Sequence, residues 1–348
     1  MRHTLITGLL IMIPLMLFSQ GEFNNWYFGN HAALNFNSGI PVPMISSAMF
    51  ETGASSSISD SAGNLLFYSN GTTVYNRNHI QMLNGSGLLG MDWAGQPTFP
   101  VKMIGADSVY YLFTNSFDLT GLHYSIIDMH LDGGLGAVIM SMRNIAVPGT
   151  DNVIDKIHAT RHRNNRDVWL VVKDNLNYAS FLITYAGLNT IPVLSPSTLL
   201  TGVNSYDVAD MKISQDGKKI AAAYFNDSTI EFGQFNTALG TISVLFRFRP
   251  DFPSFLDRPE SIEFSTDSKL VYLCEVMPPN PPGLPYFGVF QYDATKTDSA
   301  QFMQSQVFLG IDTWNGNYGG LQLAPDGKIY LSESSLGSLG VINSTLVN

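Results

Sequence analysis

The sequence predicts an all-β protein, a β-propeller of about seven four-stranded blades, and three observations carry that prediction. Six turn residues, Asp60, Asp107, Asn165, Asp216, Asp267 and Asp326, recur with gaps of 47, 58, 51, 51 and 59. Each turn is followed by an apolar run, such as Val109-Tyr110-Tyr111-Leu112-Phe113, Val168-Trp169-Leu170-Val171-Val172 and Ile220 to Phe225. No stretch of helical period separates the turns, and a strand-built repeat of about 50 residues belongs to propellers rather than helical solenoids.

Taken in chain order, the first element is a secretory signal peptide over residues 1–21. Met1-Arg2-His3-Thr4 gives a positive tip, Leu5 to Phe18 an apolar stretch too short to span a bilayer, and Ser19-Gln20-Gly21 a small-residue exit. Cleavage is expected between Ser19 and Glu22, leaving one propeller over 22–348. Residues 22–46 then read as three strands, Asn25 to Phe28, Ala33 to Asn37 and Ile40 to Ile45, equivalent to the second, third and fourth strands of a blade.

The repeats themselves share one grammar. A short inner strand ends at an Asp or Asn that bonds its own backbone, and a following Gly accepts positive φ, as in Ser214-Gln215-Asp216-Gly217 and Ala324-Pro325-Asp326-Gly327. The apolar run is the second strand, buried on both faces between neighbouring blades. An alternating third strand follows, as in Thr229 to Asn236 and Tyr286 to Asp293, and then a fourth, as in Gly134 to Met140 and Gly240 to Phe246. The last repeat offers Lys328 to Glu333, Gly340 to Asn343 and Thr345 to Val347. The closing blade is therefore expected to lack its innermost strand, which points either to a truncated chain or to six-bladed closure with the first three strands outside the ring.

Composition excludes several functions. The 18 Lys and Arg against 28 Asp and Glu give a net charge of -10, and an acidic surface repels phosphate backbones, so neither nucleic acid nor an anionic membrane is expected as a partner. No later stretch is long and apolar enough for membrane insertion after signal cleavage, and a monomer is expected. The single cysteine, Cys274, lies inside an apolar run and reads as a buried strand residue, so no disulfide staples the fold.

Four segments carry a family resemblance: Asn24-Asn25-Trp26-Tyr27-Phe28-Gly29-Asn30, Ser57 to Tyr68, Thr73-Val74-Tyr75-Asn76-Arg77-Asn78-His79 and Tyr124 to Met129. They resemble the WD40-like or YVTN-like propeller module of exported Bacteroidetes proteins, many of which carry a C-terminal sorting domain of the type IX secretion system. The resemblance implies an extracellular or cell-surface location and brings no catalytic residues. The sequence departs from the pattern in lacking the last inner strand and a sorting domain, and the expected location becomes the periplasm if that domain is truly absent.

No Gly-rich phosphate loop, Cys/His metal box, His-Glu-x-x-His or Gly-x-Ser-x-Gly elbow is present. His158 and His162 fall in a strand running into the basic hairpin Arg161 to Arg166 and read as solvated, and His123, on an alternating outer strand, is expected at the surface. The candidate site follows from geometry, because the starts of the inner strands ring one mouth of a propeller's channel. Counting back nine from each turn gives Glu51, Thr98, Lys156, Asp207, Arg258 and Asn317. Around these cluster Trp93, Gln96, Asp155, Tyr206, Asp210, Glu260, Trp314 and Tyr318.

The binding set is therefore Glu51, Trp93, Lys156, Asp207, Arg258, Glu260, Asn317 and Tyr318, with no catalytic residue assigned. Such a mixture suits a sugar, a peptide or a cation, and the carboxylates of Glu51, Asp207 and Glu260 are placed to hold Ca²⁺. The plainer reading pairs those carboxylates with Lys156 and Arg258 in a hydrated channel. The expected function is an exported, non-catalytic interaction module for a surface glycan or protein. A lactonase-like hydrolase using a channel-mouth cation and a structural spacer are the alternatives.

Overall fold

The computed structural model describes residues 21–50, 53–91, 94–115, 121–151, 153–174, 176–198, 209–250, 258–277, 286–312, 319–332 and 338–343. The signal peptide and the expected strand Thr345 to Val347 lie outside the described residues. Within them the chain is a succession of antiparallel sheets.

The first sheet contains β1 (Asn25–Phe28), β2 (Ala32–Asn35) and β3 (Val42–Met44). The second holds β4 (Ser56–Ser59), β5 (Leu65–Ser69), β6 (Thr73–Asn76) and β7 (Gln81–Ser86). The third holds β8 (Thr98–Lys102), β9 (Val109–Asn115), β10 (Leu122–Asp128), β11 (Ala137–Val138) and β12 (Ile145–Ala146), and a parallel bridge from Ala137 to Leu83 joins it to the second at the outer edge. The fourth comprises β13 (Val153–Arg161), β14 (Val168–Asp174), β15 (Asn177–Thr184), β16 (Gly187–Leu188) and β17 (Val193–Pro196). The fifth comprises β18 (Met211–Ile213), β19 (Lys219–Tyr224), β20 (Thr229–Asn236) and β21 (Thr241–Phe248). The sixth has β22 (Arg258–Phe264), β23 (Leu270–Met277), β24 (Tyr286–Asp293) and β25 (Val307–Asp312), and the seventh β26 (Leu321–Leu323), β27 (Ile329–Ser332) and β28 (Leu339–Ile342).

Seven apolar clusters fill the spaces between neighbouring sheets, and they close a ring. Tyr27 and Ala33 of the first sheet pack on Tyr68 of the second. Successive clusters then join second to third, third to fourth, fourth to fifth, fifth to sixth and sixth to seventh. The last joins Ala324 and Tyr330 of the seventh sheet to Leu34 and Phe36 of the first. The N-terminal strands thus stand inside the ring as one of its seven members, and Cys274 is buried in the cluster between the sixth and seventh sheets.

The turns are built as their residues dictate. Asp216 Oδ1 accepts from Ser214 Oγ at 2.6 Å and from the Lys218 backbone N–H at 3.0 Å, while Gly217 takes φ +70°. Asp267 repeats the arrangement with Ser265 and Lys269, at 2.7 and 3.1 Å. Burial pushes both carboxyls up, but these donors outweigh it and hold each below the ordinary aspartate range.

Two expectations are corrected. A short helix, α1 (Ser299–Gln304), interrupts the sixth sheet between β24 and β25, and its Phe302 stacks on Tyr292 with ring centroids 4.9 Å apart. It spans too few residues for a period to show in sequence. His123 is buried rather than superficial, on a β10 that pairs with β9 and β12 and so is an interior strand of its sheet, with Nδ1 3.2 Å from the Gly121 carbonyl.

Candidate functional site in the channel

The inner strands β8, β13, β18 and β22, with the residues just before them, carry a run of polar side chains that tie one blade to the next. Asp155, buried on β13, accepts from the backbone N–H groups of Gly95 and Gln96, the latter at 2.8 Å. Gln96 in turn spans two further blades. Its Oε1 accepts from Ile157 N and Met211 N, each at 3.1 Å, and its Nε2 donates to Met211 O at 3.2 Å. On the other side, Ser261 donates to Asp210 and accepts from Leu321 N at 2.8 Å. Glu263 accepts from Leu323 N at 3.0 Å and meets the Lys212 ammonium at 3.4 Å, and that ammonium also reaches Gln322 Oε1 at 3.0 Å.

Burial sets the protonation of these groups. It pushes the Asp155 carboxyl up to about 6, against the opposing pull of its backbone donors and Lys156. It pushes Glu260 up to about 8, with the nearby Asp210 adding to the shift and a single donor, Gly319 N at 3.1 Å, opposing it. Asp210 is raised by burial too. Burial disfavours the charge on Lys212, but Glu263 and Asp210 outweigh it and raise that pKa. His158, mid-strand on β13, is lowered to about 3 by burial and by the charge of Lys212, so it is neutral. His162 instead staples a turn, with Nδ1 accepting from Asn164 N at 3.0 Å and Nε2 3.2 Å from the Ala238 carbonyl. The two histidines therefore stand in separate settings, and the half-buried His158 departs from the solvated hairpin expected of it.

Of the eight residues the sequence assigns to the mouth, Lys156, Arg258 and Glu260 are among the described residues, while Glu51, Trp93, Asp207, Asn317 and Tyr318 lie outside them, as do Tyr206 and Trp314. The expected pairing of Glu260 with Lys156 or Arg258 is not what forms. Lys156, fully buried, holds its ammonium 4.9 Å from the centre of the Tyr224 ring, and Arg258 sits 4.8 Å from the centre of the Phe225 ring. Both cations face aromatic rings of the fifth sheet, whereas Glu260 turns to the seventh.

A neighbouring cluster escaped the sequence reading. Glu231 on β20 accepts from Tyr178 OH at 2.6 Å and Tyr224 OH at 2.9 Å, and from Ser197 Oγ, Thr198 N and Thr198 Oγ1 at 2.8, 2.6 and 2.6 Å. Burial pushes this carboxyl up, yet five donors overcome it and hold it low, while both phenols are raised well above 10 by burial. Lys173 lies 5.4 Å from the Tyr178 ring centre, so each tyrosine has a lysine over one face. The signal available was a glutamate in a strand apolar on both faces, Ile230-Glu231-Phe232, where an acid is stable only with donors supplied.

Among the described residues, Gln96, Asp155, Asp210, Lys212, Ser261 and Glu263 are taken up by bonds within the protein. Among the described residues no group of three or more His, Cys, Asp or Glu converges as a metal site. Ser261 is enclosed, and its oxygen already accepts Leu321 N, so it has no open face toward a substrate.

A closed ring of seven radial sheets around a polar channel defines the class of protein, a β-propeller. No family model matches the sequence, and no curated protein does. Solved structures do. The Swd1 β-propeller domain of Myceliophteria thermophila superposes with a TM-score of 0.53 at 7% identity, over 93% of this chain and 94% of that one. A candidate 6-phosphogluconolactonase from Bacteroides fragilis superposes with a TM-score of 0.48 at 12% identity, over 92% and 93%. The periplasmic gluconolactonase of Pseudomonas aeruginosa gives 0.43 at 12%, over 72% of this chain and 66% of its own length. Likeness at such identities concerns the fold alone. Among the described residues no helix is long and apolar enough to cross a membrane.

Proposed function

We propose that this protein is an exported, non-catalytic binding propeller, of the kind secreted to the cell surface, that presents its outer surface to a glycan or protein partner. The observation that carries the reading is the commitment of the channel's described polar groups, Gln96, Asp155, Asp210, Lys212 and Glu263, to bonds between blades. Groups so held stiffen the ring, and the hydroxyl–carboxylate pair among them, Ser261 with Asp210, has its serine enclosed and bonded onward to Leu321 N. The basic tip, apolar run and small-residue exit over residues 1–21 support export, with cleavage before Glu22.

The rival is a hydrolase that polarises a carbonyl with Ca²⁺ held by Glu51, Asp207 and Glu260. Glu260 argues against it, since a carboxyl raised to about 8 keeps its proton at neutral pH and a cation would have to displace that proton. The deciding experiment offers the mature protein panels of lactones, esters and glycosides with and without Ca²⁺. No turnover is expected. Calcium-dependent turnover that disappears in Glu51→Ala and Asp207→Ala would establish the hydrolase instead.

A further inference from the structure

The molecule is acidic overall, yet its charge is not evenly spread. Two neighbouring hairpins, β13–β14 and β18–β19, carry Arg163, Arg166 and Lys218 in their turns and Arg161 and Lys219 at the strand ends beside them. Their two acids are already engaged. Asp167 is gripped by Arg166 Nε at 2.8 Å and Asn164 Nδ2 at 2.7 Å, and Asp216 by Ser214 and the Lys218 backbone. Between the fourth and fifth sheets, at the end of the ring where these turns lie, is a cavity of about 560 Å³ into which Arg163, Lys218 and Lys219 converge.

The rest of its wall is uncharged, with Gln234, Asn236, Thr237, Thr241 and Ser243 offering hydrogen bonds beside Phe235 and Ala238. No carboxylate lines it, and among the described residues neither Arg163 nor Lys218 ion-pairs through its side chain. The walls are held before any ligand arrives. Thr237 O accepts from Arg163 N at 3.0 Å and from Trp169 Nε1 at 2.9 Å, and Gly240, at φ +72°, lies so close to the Trp169 ring that a Cβ would fall 2.6 Å from it. A side chain there would force the β20–β21 turn off the tryptophan.

We propose that this cavity binds an acidic oligosaccharide, a sugar bearing sulfate or carboxylate groups. Arg163 and Lys218 supply the charge attraction, joined by Lys219 from its 3.7 Å contact with Asp216, and two amides with three hydroxyls supply partners for sugar hydroxyls, within a volume typical of small-ligand sites. A nucleic acid would need a basic stripe on a molecule whose net charge is -10, and the basic residues gather at one cavity instead. An acidic sugar carries several hydroxyls on each ring and offers this wall more donors and acceptors per unit length than an acidic peptide, whose side chains bring only carboxylates. The inference rests on the reading of the protein as a binding module and gives that module a ligand class and a place.

The test is titration calorimetry on the mature protein with a chondroitin sulfate hexasaccharide, an oligogalacturonate of equal length, neutral maltohexaose and a polyglutamate peptide. Binding of an acidic sugar that weakens as salt rises is expected, and Arg163→Ala with Lys218→Ala should weaken it by about tenfold or more. The paired control Lys102→Ala with Lys296→Ala removes equal charge elsewhere and should leave binding intact, and melting curves should show both pairs folded. Equal binding by both pairs would place the ligand elsewhere and overturn the cavity while leaving a binding module. Equal binding of maltohexaose or polyglutamate would overturn the ligand class, and no binding of either acidic sugar would overturn the proposal outright. Cleavage of a sugar would instead sink the non-catalytic reading.

Discussion

Two buried glutamates in this protein hold opposite protonation states, and the difference lies in the number of donors aimed at each. Glu231 has five and stays ionised, while Glu260 has Gly319 N and keeps its proton to about 8. The linkage then has a definite sign. A carboxyl raised in the folded state stabilises the fold at low pH and loses that contribution as pH climbs from its unfolded value toward 8. His158, lowered to about 3, acts in the opposite sense, gaining stability from pH 3 to its ordinary value of 6.5 and nothing above it. Above pH 6.5 the fall from Glu260 is therefore unopposed by His158. The melting temperature should drop between pH 6.5 and 8.5, and Glu260→Gln, which mimics the neutral acid, should flatten that drop in a pair of thermal melts. Glu231→Ala strips five donors of their acceptor and should cost about 3 kcal/mol or more in urea denaturation.

At the scale of the element, the edge of β1 needs explanation. It is the channel-side strand of the first sheet, with no strand paired to its inner edge among the described residues. Phe36 N donates to Asn24 O, so by alternation the carbonyls of Asn25 and Tyr27 point away from β2, toward that edge. Hydroxyls take the place of a neighbouring backbone there. Ser57 Oγ donates to Asn25 O at 2.6 Å and Ser55 Oγ to Tyr27 O at 2.7 Å, two serines one alternation apart. Ser59 Oγ accepts from Asn25 Nδ2 at 2.9 Å and completes the series. The run Ser55-Ser56-Ser57-Ile58-Ser59 thus serves two sheets at once. Ser55→Ala and Ser57→Ala should each cost about 1 kcal/mol, read from shifted denaturation midpoints with unchanged slope. Asp267→Ala, which removes the acceptor organising the β22–β23 turn, should cost a similar amount, about 1 kcal/mol.

On the scale of the whole molecule, the contacts that close the ring among the described residues are made by apolar side chains. The first sheet meets the second through Tyr27, Ala33 and Tyr68, and the seventh through Leu34, Phe36 and Tyr330. Trp26 reinforces the second contact, with its ring centre 4.9 Å from Phe36 and 5.8 Å from Tyr330. Deleting residues 22–46 would uncover both apolar surfaces. The expected result is a broadened unfolding transition with a lower urea slope and faster proteolysis, and a deletion variant that melted as sharply as the full protein would show that the ring does not depend on this sheet.

Local chemistry determined what the sequence could determine. The Asp-marked turns, the apolar second strands and their period are short-range properties, each set by a few neighbouring residues, and the all-β class with about seven blades follows from counting them. Which side chains meet across the channel was decided only in three dimensions. Gln96 reaching Met211, Glu260 turning to Gly319, and Glu231 gathering Tyr178 and Tyr224 all join residues from different blades, brought near by ring closure rather than by spacing along the chain. The same holds for the basic cavity, whose cations lie one repeat apart in sequence and share a single wall only because a continuous apolar core packs the fourth sheet against the fifth.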